Sequence, residues 1–138
     1  MKLTKNFSLS ELVHPDILDL VGDDAVKLLH PELAPTLQAI RDKFGKIMIN
    51  GDIWGKKFTL SGLRPKNTTV GAKRSKHKIG TAADCKFETV TPIEVQNYII
   101  LHQDEFPNIT RIENALVTKT WLHVETGERT GSIKVFNP

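Results

Sequence analysis

Apolar residues recur along this chain at two spacings, and the spacings predict a mixed fold. Three stretches carry helix signals. Phe7-Ser8-Leu9-Ser10-Glu11-Leu12 reads as a helix start, with Ser8 and Glu11 at capping-box spacing and Phe7 and Leu12 at staple spacing. Pro35 to Phe44 predicts a second helix, with Leu37, Ile40 and Phe44 on one stripe and Gly45 as the stop. Thr91-Pro92-Ile93-Glu94 offers a cap, a proline at the first helical position and a box partner for a third. Its stripe reads Ile93, Asn97, Ile100 and Leu101, ending before Pro107.

Five shorter runs read as strands: Lys46 to Ile49, Phe58 to Leu60, Ala82 to Phe87, Thr110 to Leu116 and Trp121 to Thr126. Short strands mixed irregularly with helices predict an α+β fold, a small mainly antiparallel sheet packed with about three helices. The last two runs make a natural hairpin. Alternation in the final one sends Leu122 and Val124 to one face and Trp121, His123 and Glu125 to the other. With Val117 to Thr120 as a tight connection, facing residues have numbers summing to about 236 to 238. Glu113 then lies opposite His123, Val124 or Glu125, and a carboxylate next to a metal-bound histidine is where a general base would be placed.

With 138 residues, 39% hydrophobic and 25% charged, the chain reads as one globular domain, 1–138, able to build a core without disulfides. Its single cysteine, Cys85, excludes an internal disulfide. No run approaches the ~20 apolar residues of a membrane span. Met1-Lys2-Leu3-Thr4-Lys5-Asn6 lacks the apolar core of a signal peptide, so the protein is expected to stay in the cytoplasm unless something else exports it. The net charge of +3 is concentrated around Lys73, Arg74, Lys76 and Lys78. Such a field attracts an anionic partner, either nucleic acid or a carboxylate- or phosphate-bearing wall polymer, or is simply a solvated basic loop.

The run that changes the picture most is Ser75-Lys76-His77-Lys78-Ile79-Gly80-Thr81-Ala82-Ala83-Asp84. It places a histidine and an aspartate seven residues apart, with small residues between them. Neutral imidazole and carboxylate are good first-row metal ligands, and small neighbours let backbone and ion approach closely. Trp121-Leu122-His123-Val124-Glu125 supplies a second histidine on an open strand face. Together these segments predict a zinc site with His77, Asp84 and His123 as ligands and one open position. Glu125 shares His123's face and can orient it as an acceptor, while Trp121 reads as packing or a cleft wall. Arg64, after Ser61-Gly62-Leu63 and before Pro65, is fixed in a turn and offers a fork suited to a substrate carboxylate. His14, His30 and His102 sit at helix boundaries and read as structural, and Cys85 as core.

In this order the segments resemble the zinc peptidases of the D-Ala-D-Ala carboxypeptidase and phage endolysin group, over most of the chain. Asn6 to Leu12 is similar to the opening of the phage-type branch, and Ser61-Gly62-Leu63-Arg64-Pro65 to its arginine turn. Val70-Gly71-Ala72 followed by Ser75 to Asp84 resembles the G-x-x-x-S-x-H-x-x-G-x-A-x-D block, and Trp121 to Glu125 resembles W-[VI]-H-x-[DE]. The ten-residue block is the specific part. The resemblance implies the hedgehog and D,D-peptidase type of fold and one zinc on His77, Asp84 and His123, with water in the fourth position. It further implies hydrolysis of peptide bonds in peptidoglycan stem peptides, with Arg64 anchoring substrate and Ser75, Trp121 and Glu125 around it.

Two positions depart from the pattern. Thr120 stands where many members carry the Asp or Glu that serves as general base, so Glu113, and after it Glu125, is the substitute. Leu63 stands where an aromatic is common. The resulting expectation is a monomeric endolysin, without nucleic-acid or membrane partners, that accumulates in the cytoplasm of a host bacterium until another protein releases it to the cell wall. Its rivals are a non-catalytic zinc-binding virion or wall-binding component, motivated by Thr120, and a basic nucleic-acid module, which leaves the His/Asp/His spacing unexplained.

Overall fold

The computed structural model describes residues 1–68 and 75–138. Four α-helices, α1 (Leu9–Leu12), α2 (Pro15–Val21), α3 (Leu33–Phe44) and α4 (Pro92–Leu101), accompany seven strands: β1 (Ile47–Met48), β2 (Gly51–Ile53), β3 (Lys56–Phe58), β4 (Ala82–Phe87), β5 (Ile109–Glu113), β6 (Leu122–Thr126) and β7 (Lys134–Phe136). The fold is α+β. Five strands form a mixed sheet in the order β1-β4-β6-β5-β7, antiparallel except for the parallel β5–β7 pair, and β2–β3 is a separate hairpin. α2, β2 and β7 were not read as elements in the sequence, and the strand expected from Phe58 to Leu60 lies earlier, as β3. α2 starts on a His14-Pro15 pair, in which His14 Nδ1 accepts the Asp16 N–H at 3.1 Å.

The predicted caps form, on α4 through the Thr91 half of the expected box. Ser8 N–H donates to the Glu11 carboxylate at 3.0 Å, Thr91 Oγ1 accepts from Glu94 N–H at 3.4 Å, and Gly45 ends α3 at φ 84°. The stripe read on α4 is not its buried face. Val95, Gln96 and Ile99 are buried, while Asn97 and Leu101 are exposed, Leu101 at 79%. Apolar residues surround this helix, so periodicity had no preference to report. Gln96 settles the rotation by accepting the Ala115 N–H at 2.7 Å.

One face of the main sheet carries the core. Ala83, Cys85 and Phe87 of β4 and Leu122 and Val124 of β6 pack with Leu33, Leu37 and Ile40 of α3 and Val95 and Ile99 of α4. Ile109 and Ile112 of β5 both reach this core although an odd spacing normally splits residues between faces. A register shift between Ile109 and Arg111 reconciles them. By alternation, Asp84 and Lys86 of β4, His123 and Glu125 of β6, and Arg111 and Glu113 of β5 take the other face. The β5–β6 connection runs from Asn114 to Trp121, longer than the tight turn expected, with Val117 and Thr118 N–H both donating to the Asn114 carbonyl. Register follows the lowest expected sum, with Ile112 facing Val124. No helix among the described residues is long and apolar enough to cross a membrane.

Candidate metal centre

Asp84 and His123 face each other across the antiparallel β4–β6 pair, and His77 approaches from a 3-10 turn, Lys76–Ile79. Ser75 caps that turn by accepting the His77 N–H at 3.2 Å. Gly80 ends it at φ 74°, where a Cβ would collide with the Leu28 carbonyl, which accounts for the glycine inside the motif. Three donor atoms converge. His123 Nδ1 lies 2.9 Å from Asp84 Oδ1, His77 Nε2 lies 3.3 Å from the same oxygen, and the two nitrogens are 3.1 Å apart. This largely buried His-Asp-His group can hold a metal ion.

The far side of each ligand is also engaged. His77 Nδ1 is 3.0 Å from the Gly62 carbonyl, and His123 Nε2 is 2.9 Å from Glu125 Oε2. Carbonyls and carboxylates only accept, so those outer ring nitrogens carry hydrogens and the inner ones are left to bind a metal once it displaces the proton shared with Asp84. Glu125, itself buried, is held in turn by Arg111 Nη1 at 3.4 Å. Asp84 Oδ2 faces Arg64 Nη2 at 3.4 Å, leaving Oδ1 toward the centre.

Electrostatics agree with a cation site. Burial alone would raise Asp84, but hydrogen bonds from His123 and His77 hold its carboxyl well below the usual carboxylate range. Burial opposes charge on His123, yet Asp84 and Glu125 on its two nitrogens push it up to about 9. Glu125 is lowered because its contacts with His123 and Arg111 outweigh burial. The pocket therefore favours positive charge where the donors meet.

Glu113 Oε2 is 4.0 Å from His123 Nδ1, in the cleft that the two histidines and Asp84 line. Trp121 lines both clefts that meet at the site, whereas exposed Thr120 lines only the larger one. His14, His30 and His102 stay outside. The first two accept backbone N–H groups through Nδ1, and His102 stacks on Tyr98 at 4.0 Å between ring centroids. Cys85 is buried in the core. Lys73, Arg74 and the Val70-Gly71-Ala72 segment lie outside the described residues.

Three contributors went unrecognised in the sequence. Arg111 and Phe136 close one side: Phe136 meets the His123 ring edge-on at 6.0 Å, and the Arg111 guanidinium lies 3.9 Å from the Phe136 centroid. Only Arg111's place two residues before Glu113 hinted at this. The third is the Ser61–Arg64 backbone. Ser61 carbonyl accepts from Asp84 N–H at 2.7 Å, Leu63 N–H donates to the Leu12 carbonyl at 2.7 Å, and Arg64 N–H donates to the His77 carbonyl at 3.0 Å. Gly62 must be glycine, because a Cβ there would strike the Leu12 carbonyl. Comparisons with protein-family models, curated proteins and solved structures found no match.

Proposed function

We propose that the protein is a zinc-dependent peptidase that hydrolyses peptide bonds in peptidoglycan stem peptides. The observation that carries this reading is the convergence of His77 Nε2, Asp84 Oδ1 and His123 Nδ1, with their outer atoms already engaged. Zinc–ligand bonds of about 2.0–2.1 Å in a tetrahedron separate neighbouring donors by about 3.3–3.4 Å. The observed 2.9–3.3 Å separations need only a few tenths of an ångström of opening, so the donor set fits the ion. Two histidines and one carboxylate also match a catalytic donor set, which keeps a fourth position open.

A zinc ion held there would supply Lewis acidity for the scissile carbonyl and for the attacking water. The chain's own groups do the rest. Glu113, beside His123 and partly exposed, accepts the proton of the attacking water and passes it to the leaving amine. Arg64 fixes Asp84 and brings positive charge to the substrate side. Glu125 holds the His123 ring by Nε2 and is thereby occupied as an orienting group, which favours Glu113 for the base.

Thr120 favours a second reading, a metal-binding wall component without turnover, because that position offers no ionisable group. Turbidity loss of purified cell walls separates the two, with mass spectrometry of the fragments to identify the bond. Zinc-dependent clearing, lost on chelation and regained with zinc, is the expected result. A protein shown to contain zinc that leaves walls and fragments intact would sink the peptidase reading.

A further inference from the structure

Lys86 is a buried lysine that the chemistry above does not use. It follows Asp84 by two residues on the same face of β4 and is only 2% exposed. Its Nζ donates to Ser61 Oγ and to the Asp84 carbonyl, and sits 4.4 Å from the Phe58 ring centroid. An ammonium has three donors, so the two hydrogen bonds leave one without an oxygen acceptor. Among the described residues no carboxylate oxygen is in ion-pair contact with Nζ, and Asp84 acts on it only from beyond that distance. A buried charge without a counter-ion is costly, and a ligand that brings the opposite charge relieves the cost.

Lys86 also lines the larger cleft beside the metal centre, about 580 Å³ between the β2–β3 hairpin and Trp121. That cleft gathers Lys56, Lys57, Arg64 and Lys86 against one carboxylate, Asp84, which is already committed to Arg64 and the histidines. The adjoining cleft over the histidines sets Asp84, Glu113 and Glu125 against Arg64, Lys76 and Arg111. An anionic substrate group is therefore drawn to the lysine side.

We propose that Lys86 reads a substrate carboxylate in this cleft. This rests on the peptidase reading and narrows it. Stem-peptide positions that offer such a carboxylate beside a peptide nitrogen include a C-terminal D-alanine and a D-glutamate linked onward through its γ-carboxyl. A bond inside a glycine bridge lacks it, since the next carboxyl is tied up in an amide.

The chain has two tryptophans, Trp54 and Trp121, and both line this cleft, so intrinsic fluorescence reports its occupancy. The zinc-loaded full chain is titrated with N-acetyl-D-Ala-D-Ala or its C-terminal amide. A second pair is N-acetyl-L-Ala-D-Glu γ-amide with its α-carboxylate free or amidated, and quenching is read before turnover. In at least one pair the free acid should bind at least about tenfold more tightly than its amide. Lys86→Met should shrink that gap to under about twofold with zinc content unchanged, and Lys5→Met, exposed and outside both clefts, should preserve it. Lys86→Gln replaces the Met variant if that one does not fold. Equal binding of acid and amide in both wild-type pairs overturns the proposal, as does a gap that survives loss of the Lys86 charge. Hydrolysis without acid preference removes the Lys86 role and leaves the peptidase. Acid preference without hydrolysis keeps Lys86's carboxylate reading and removes the peptidase.

Discussion

His123 Nε2 and Glu125 Oε2 are 2.9 Å apart, and this contact decides which nitrogen of the histidine faces Asp84 and His77. Loss of an outer partner of this kind typically costs about 10–100-fold in metal affinity. Glu125→Gln is therefore expected to weaken zinc binding by about that factor, measured by competition with a chromophoric chelator. Glu113→Gln should bind zinc within a few-fold of the parent yet lose about 10²–10⁴-fold in turnover. Full activity in Glu113→Gln would move the base elsewhere.

Metal affinity should rise with pH. A metal requires neutral His123, and the metal-free site holds it protonated up to about 9. Below that value one proton leaves as the metal enters, so affinity should gain about tenfold per pH unit and flatten near pH 9. Calorimetry in buffers of different ionisation enthalpy counts the proton. A pH-independent affinity between pH 6 and 9 would contradict the ring assignment.

Two neighbours on β4 pull alkaline stability in opposite directions. Burial lowers Lys86 from 10.5 to about 8, so the unfolded chain holds a proton that the folded one has released, and stability rises across that window. Burial pushes the Cys85 thiol from 9.0 up to about 12, so the unfolded chain ionises first and stability falls from pH 9. Each slope is about 1.4 kcal/mol per pH unit, so they offset one another between pH 9 and 10.5 and the loss shows above it. Cys85→Ala should remove the falling branch in urea titrations made across this range.

Trp54 sits at φ 56° with Gly55 at φ 71°, the two loop residues joining β2 to β3. Both positive angles fit the hairpin turn that normally selects Asn-Gly, and a bulky residue there costs about 1 kcal/mol. Trp54→Asn should raise thermal stability by about 2–4 °C in calorimetry. It should also weaken peptide binding in the adjoining cleft. A variant that gains stability with peptide binding unchanged would show that Trp54 does not serve the cleft.

The centre was more legible than its surroundings, for a physical reason. His77, Asp84 and His123 sit in segments whose alternation and small residues constrain them locally, and the β4 boundaries were read correctly from Ala82 to Phe87. The α4 stripe was misplaced because an all-round apolar helix has no preferred face until Gln96 meets Ala115. β7 escaped notice because its three residues acquire meaning only beside β5, a pairing that local pattern does not encode. The Ser61–Arg64 loop was read for its arginine alone, since hydrogen bonds made by backbone atoms leave no mark on residue type.

That loop has a consequence for how such a site can vary over time. Its grip on α1, on β4 and on the histidine turn comes from backbone amides and carbonyls, which every non-proline residue possesses. Length is therefore constrained there in addition to the letters that Gly62 and Arg64 fix. Inserting or deleting one residue between Ser61 and Arg64 would unfasten all three attachments together, so spacing is a heritable part of this segment.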